Sequence, residues 1–158
     1  MTRRDTNADG LDEIDRKILT ILQADGRTAL SEIARRLDMG TATIHERVNG
    51  LEEAGFIKGY CAVLDPELIG IDEVAFVSVR AEPGRPSSVA ERLTEEQHIQ
   101  EIHEITGDAD LLVKVRVADH SALTELLGKI GSYDGVVATS TNVALRSVKE
   151  ESKLALDR

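Results

Sequence analysis

Tryptophan is missing altogether, and two phenylalanines and two tyrosines make up the whole aromatic content of this 158-residue chain. Cysteine occurs once, at Cys61, which excludes an internal disulfide and a cysteine-based zinc site and leaves a small apolar filler as its ordinary reading. No apolar run approaches the roughly 20 residues of a membrane span, and the opening MTRRDTNADG has no signal-peptide core. A soluble cytoplasmic protein without a membrane partner is expected. Positive charge is short too: 19 basic against 29 acidic residues give a net charge of -10, which argues against a generally sticky nucleic-acid binder. Lysine is the scarcer base, at 6 against 13 arginines. An acidic, lysine-poor, aromatic-poor surface suits a salt-rich, halophilic cytoplasm; an ordinary acidic cytoplasmic protein is the alternative.

What the chain does hold is a hydrophobic share of 41%, enough for real cores, in a length that suits one ordinary domain or two small ones. Its charge is unevenly placed. Residues 1–60 carry 9 basic and 11 acidic residues, net -2, whereas residues 61–158 carry 10 and 18, net -8. If DNA is touched anywhere, the front is the less repulsive place.

Residues 1–10 are polar and aperiodic, a loose arm. Over residues 11–58 three helices are expected. The first carries Leu11, Ile14, Ile18 and Leu22 at helical spacing, with acids in its first turn. The second turns Leu30, Ile33, Ala34 and Leu37 inward and Arg35 and Arg36 outward, and Asp38, Met39 and Gly40 break it. The third has Ile44, Val48 and Leu51 as its buried stripe and Gly55 as its stop. A short break between the second and third helices is the pattern of a helix-turn-helix, or of a small bundle that binds protein or nothing.

Residues 59–72 alternate and then reach Asp65-Pro66, which predicts a linker strand and hinge. Residues 73–158 run strand, helix, strand, strand, helix, strand, the βαββαβ order of a ferredoxin-like domain. The expected fold class is α+β: an N-terminal winged-type helix-turn-helix domain and a C-terminal ferredoxin-like domain. Helices cover one sheet face only, and the apolar residues of the other face are expected to bury against another copy.

Between the second and third strands stands TGDAD, residues 106–110. Carboxylates at such a turn can hold a metal, perform acid–base chemistry, bind an ammonium group, or shape the turn by bonding their own backbone. Catalysis finds little support. No nucleophile with an adjacent base, phosphate-cradling glycine loop or dinucleotide fingerprint is visible, and His98 and His103 cannot close one metal site. No metal, cofactor or catalytic residue is expected. An α-amino acid, by contrast, needs an acceptor for its ammonium and N–H or hydroxyl donors for its carboxylate. Thr106, Gly107, Asp108, Ala109 and Asp110 offer both kinds, and alternation puts the hydroxyls of Thr139 and Thr141 on one strand face with Val137 and Val143.

The stretches LDEIDRKILTILQADGR, SEIARRLDMGTATIHERVNGLEEAGFIKGYCAVLDPELIG and TGDADLLVKVRV, in this order and spacing, resemble the Lrp/AsnC (feast/famine) transcription regulators over nearly the entire chain. The resemblance implies an N-terminal domain that reads double-stranded DNA and a C-terminal effector-binding and oligomerisation domain. It also implies dimers that often assemble into octamers, with a small molecule, usually an amino acid, bound between dimers. TGDAD and the threonine pair fall on the family's effector pocket.

In a helix-turn-helix the third helix here would enter the major groove with its N-terminal residues nearest the bases. The candidates along it are Thr41, Ala42, Thr43, His45, Glu46, Arg47 and Asn49, with Arg27, Arg35 and Arg36 placed for phosphates. Two departures stand out. Gly40 occupies a position where a serine-like N-cap is common, and Ala109 replaces a bulkier residue between the two acids. Two other readings are a module that binds a small molecule or assembles without touching DNA, and an enzyme similar to the sirohaem decarboxylases, which share this architecture. The latter would need a basic, histidine-bearing pocket, which the acidic second half disfavours.

Overall fold

Asp12 starts the first helix by a reciprocal cap. In a computed structural model that describes residues 10–156, its side chain accepts from Asp15 N at 2.8 Å while the Asp15 side chain accepts from Asp12 N at 3.2 Å. Two orphan N–H groups are thus satisfied, and helix α1 runs Glu13–Ala24. Of the loose arm expected over 1–10, residues 1–9 lie outside the described residues.

Helix α2, Leu30–Arg36, ends where Asp38 adopts φ 53°, a left-handed conformation that aspartate tolerates better than most residues. Met39 N then donates to Ala34 O at 2.9 Å, closing the turn into α3, Thr41–Glu53. Gly40 caps α3 with backbone alone, and Gly55, at φ +77°, stops it. Helices this short gain their stability from tertiary packing. The packing here is Leu11, Ile18, Leu22, Ile33, Ala34, Ile44, Val48 and Leu51 in one core.

The described residues divide into two compact units, 10–63 with 150–156, and 64–149. Residues 150–156 therefore group with the helices and not with the sheet. Gln23 on α1 exchanges two hydrogen bonds with the Leu154 backbone, at 2.8 and 3.2 Å, and Arg16 Nη1 donates to Leu156 O at 3.3 Å.

The strand expected within 59–72 is not formed. Residues 57–65 have no ladder partner among the described residues, and a strand without one is only an extended segment. Tyr60, Val63 and Leu64 stand exposed along it. Asp65 then accepts from Glu67 N and Leu68 N, a side-chain turn that leads to Gly70 at φ +70°.

The second unit is the expected βαββαβ: β1 Glu73–Ala81, α4 Pro86–Leu93, β2 Ile99–Glu104, β3 Leu111–Val117, α5 His120–Gly131 and β4 Val136–Val143. All pairings are antiparallel, in the order β2-β3-β1-β4. Period-two alternation in the valine-rich β1 and β3 decides what is covered. Ala75, Val77, Val79, Leu111, Val113, Val115 and Val117 are buried with Val89, Leu93, Leu123, Leu126 and Ile130 of the helices. Phe76, Leu112, Lys114 and Arg116 belong to the alternate positions, on the face the helices leave open. Among the described residues no helix is long and apolar enough to cross a membrane.

Candidate nucleic-acid interface and effector site

On α3, the buried stripe Ile44, Val48 and Leu51 leaves Thr41, Ala42, Thr43, His45, Glu46 and Asn49 exposed on the remaining surface. The Asn49 amide and His45 Nδ1 lie 3.3 Å apart, so these two neighbours on the helix steady one another. This face offers hydroxyl, amide, imidazole and carboxylate groups, a set able to donate to and accept from base edges.

Arg47, a flank position among the candidates for a base or phosphate contact, does not join that face. Its Nη1 donates to Asp12 Oδ2 at 2.7 Å and to Asp15 Oδ1 at 2.6 Å. The three side chains are only 13%, 11% and 8% exposed. The reason lies in helix geometry: position 47 neighbours 44 and 51 at spacings of three and four, on the flank of the buried stripe, and the long arginine stem reaches α1 from there. Burial pushes the Asp12 carboxyl up, but the Asp15 amide and the Arg47 guanidinium outweigh it and hold the group below the ordinary 3.8. Asp12 and Asp15 were legible only as acids in a helix's first turn. Their spacing, Asp-x-x-Asp ahead of an apolar run, was the available sign of a reciprocal cap.

The three candidate phosphate contacts stay on the surface. Arg27 is exposed after α1. Arg35 donates twice to Glu32, at 2.9 and 2.7 Å, and Arg36 donates to the same carboxylate at 2.8 Å. Those bonds, from Arg35 first and Arg36 next, push the Glu32 carboxyl down to about 2. Both guanidiniums thus already hold an anionic oxygen acceptor of the kind a phosphate presents.

In the sheet unit the two acids of TGDAD separate. Asp110 Oδ2 accepts from Ala81 N at 2.8 Å, Asp110 N donates to Val79 O at 3.0 Å, and Ile105 N donates to Asp110 O at 2.9 Å. Asp110 therefore ties the turn to the end of β1. Gly107, at φ +123°, supplies the backbone conformation that sends Asp108 outward, and Thr106 and Asp108 are both exposed while Ala109 is half-buried.

Thr139 pairs with Val79 and Thr141 with Val77, so both hydroxyls share the helix-side face with Val143, opposite Ala75. Val137 drops out of that set because the β1–β4 register shifts between Arg80 and Ala81, leaving it unpaired in a bulge. Leu111, Val79 and Thr139 form one row across three strands, which puts Thr139 about 10 Å from the start of β3 by the ordinary strand spacing. The turn and the threonines thus lie at one end of the sheet but not within contact of one small group. Among the described residues no group of three or more His, Cys, Asp or Glu side chains is arranged to hold a metal ion.

A family model described as winged helix-turn-helix DNA-binding matches residues 11–58, and one described as the Lrp/AsnC ligand binding domain matches residues 74–154. The chain is 42% identical to HTH-type transcriptional regulator FL11 of Pyrococcus horikoshii, over 92% of this chain and 97% of that one. It is 39% identical to the leucine-responsive regulatory protein of Escherichia coli, over 92% of each. Among solved structures it superposes on a Neisseria meningitidis transcriptional regulator in complex with L-Met, with a TM-score of 0.87, 27% identity and coverage of 93% of this chain and 97% of that one. Escherichia coli AsnC gives a TM-score of 0.84 at 28% identity, over 90% and 97%.

Proposed function

The chain belongs to the Lrp/AsnC family of transcriptional regulators, with a DNA-binding helix-turn-helix and a ligand-binding domain, and from that premise we propose how it reads DNA and what controls it. The exposed face of α3, Thr41, Ala42, Thr43, His45, Glu46 and Asn49, enters the major groove, and Arg27, Arg35 and Arg36 hold phosphates on either side. The single observation that carries this reading is the solvent-facing polar surface of α3 beside two outward arginines on α2. Residues 11–58 are then the reading domain, 59–72 the hinge and 73–158 the effector and self-association domain, with 150–156 returning to the helices, working in the cytoplasm.

The effector is an amino acid, the class of ligand named for the Neisseria relative. Asp108 is the ammonium acceptor, because its exposed carboxylate is free to turn to a ligand while Asp110 is committed to Ala81. The amides around Gly107 and the hydroxyls of Thr139 and Thr141 meet the carboxylate and side chain. Since one chain spreads these groups over about 10 Å, a second copy completes the wall. Self-association also covers Tyr60, Val63 and Leu64 of the hinge, whose apolar groups are exposed in the single chain.

Fluorescence anisotropy on the chain's own upstream DNA, with and without each of the twenty amino acids, tests the reading. Binding that one amino acid shifts by several-fold is expected, and absence of binding to any upstream duplex would sink it. A parallel thermal-shift screen at low and molar KCl identifies the stabilising ligand through linkage. The same screen asks whether the acidic surface needs salt: a melting temperature that stays flat in KCl removes the halophilic reading.

A further inference from the structure

Arg47 reaches between two helices far apart in sequence. The pairs Lys17–Glu13 and Arg36–Glu32 join side chains four residues apart on one helix. Arg47 instead spans 35 residues to Asp12 and 32 to Asp15.

The two carboxylates divide their oxygens with nothing left over. Asp12 gives Oδ1 to the Asp15 amide and Oδ2 to Arg47; Asp15 gives Oδ2 to the Asp12 amide and Oδ1 to Arg47. Each aspartate is therefore fixed by the helix cap before it meets the guanidinium, so the acceptors cannot follow Arg47 if α3 turns. Both contacts converge on Nη1, while Nε is buried without a partner. A single cation at one point does the holding.

Apolar contact supplies a restraint of a different kind. α3 lies against α2 more extensively than against α1, and burial of apolar surface is itself non-directional. Hydrogen bonds between charged groups are short and angle-dependent. Arg47 thus adds a directional restraint on the rotation of α3 relative to α1, beyond what their shared apolar core supplies. That rotation decides which of Ala42, Thr43, Glu46 and Asn49 face outward, and a recognition surface works only when its support fixes it within a fraction of an ångström.

We propose that Arg47 is a positioning residue for operator reading: paired with the capping aspartates Asp12 and Asp15, it sets the rotation of α3 without touching DNA. The proposal rests on the reading that the exposed face of α3 meets the groove.

The test uses the full-length chain with Arg47→Met, Arg47→Lys and Asp12→Asn, each assayed on its operator and on a random-sequence duplex across a KCl series. Arg47→Met is expected to weaken operator binding at least about tenfold and random-duplex binding by no more than about twofold, with an unchanged salt slope. Arg47→Lys restores most of the loss, because one ammonium can serve both carboxylates. Where Arg47→Met gives no cooperative melt, Asp12→Asn, which keeps the cap acceptor, is read in the same way. An equal loss on both duplexes with a slope shallower by about one ion marks a phosphate contact and overturns the proposal. Unchanged operator binding overturns it as well. Thr43→Ala and Asn49→Ala tell the two readings apart: if they leave operator binding intact, the α3 reading itself falls and takes this inference with it; if they weaken binding while Arg47→Met does not, only the inference falls.

Discussion

Each unit of the protein carries a pair of aspartates at a change of chain direction, Asp12 with Asp15 and Asp108 with Asp110, and the two pairs live in opposite circumstances. In the helical unit both carboxylates are buried and every oxygen is engaged by an amide or by Arg47. In the sheet unit Asp110 takes one amide of β1, and Asp108 faces solvent. Removing a carboxylate from water is costly unless its partners replace the lost hydration, so buried acids end up as architecture. An exposed acid on a backbone-anchored turn keeps its hydration until something better arrives, which is what a ligand site requires. The sequence pattern drew attention to the second pair; the structure shows that the first is the more constrained.

The comparison breaks most readily at Arg47. Arg47→Met leaves two partly desolvated carboxylates without their cation and is expected to cost about 2–3 kcal/mol, seen as a lower midpoint in urea unfolding with an unchanged slope. A smaller, split effect is expected in the sheet unit. Asp110→Ala orphans the Ala81 amide and should cost about 1–2 kcal/mol, whereas Asp108→Ala should leave the melting temperature within about 2 °C while abolishing the stabilisation by the effector. If the two variants behaved alike, the division of labour drawn between these acids would be wrong.

Acid sharpens the contrast further. Asp12 has a folded value below its unfolded 3.8, so its contribution is present above that pH and is lost as pH falls through the folded value. Melting temperatures between pH 6 and 2.5 should therefore drop more steeply for the parent than for Asp12→Asn. Glu32, held at about 2 against an ordinary 4.5, follows the same sign in the window between those values. Its exposure makes the stability effect slight. The smallest expected change is in DNA binding by Glu32→Gln. Freed of an internal carboxylate, Arg35 and Arg36 should tighten binding about two- to threefold and steepen its salt dependence; looser binding would mean that Glu32 orients them instead.

Much of the fold was legible because its signals are local. Ile44, Val48 and Leu51 at helical spacing, and Ala75, Val77 and Val79 at strand spacing, name their buried faces without reference to anything distant. What escaped depends on partners. The hinge alternates like a strand, but a strand needs a neighbour, and none lies among the described residues. Position 47 lies on the flank of the buried stripe, from which a long arginine can reach DNA or another helix, and its fate was settled by two acids more than 30 residues away. Thr139 and Thr141 do share a face, yet the bulge that removes Val137 from it is a matter of pairing register, invisible to alternation. In the site, likewise, residue types were readable and commitments were not. Nothing in TGDAD says that the second aspartate belongs to β1.

The last stretch of chain carries a practical consequence. Because residues 150–156 lie along α1 through Gln23 and Arg16, the sheet unit is in effect an insert between two pieces of the helical one. A fragment cut at residue 63 to isolate the reading head would lack its closing segment. Truncations of this regulator are better planned around that return path than around a simple head-and-body split.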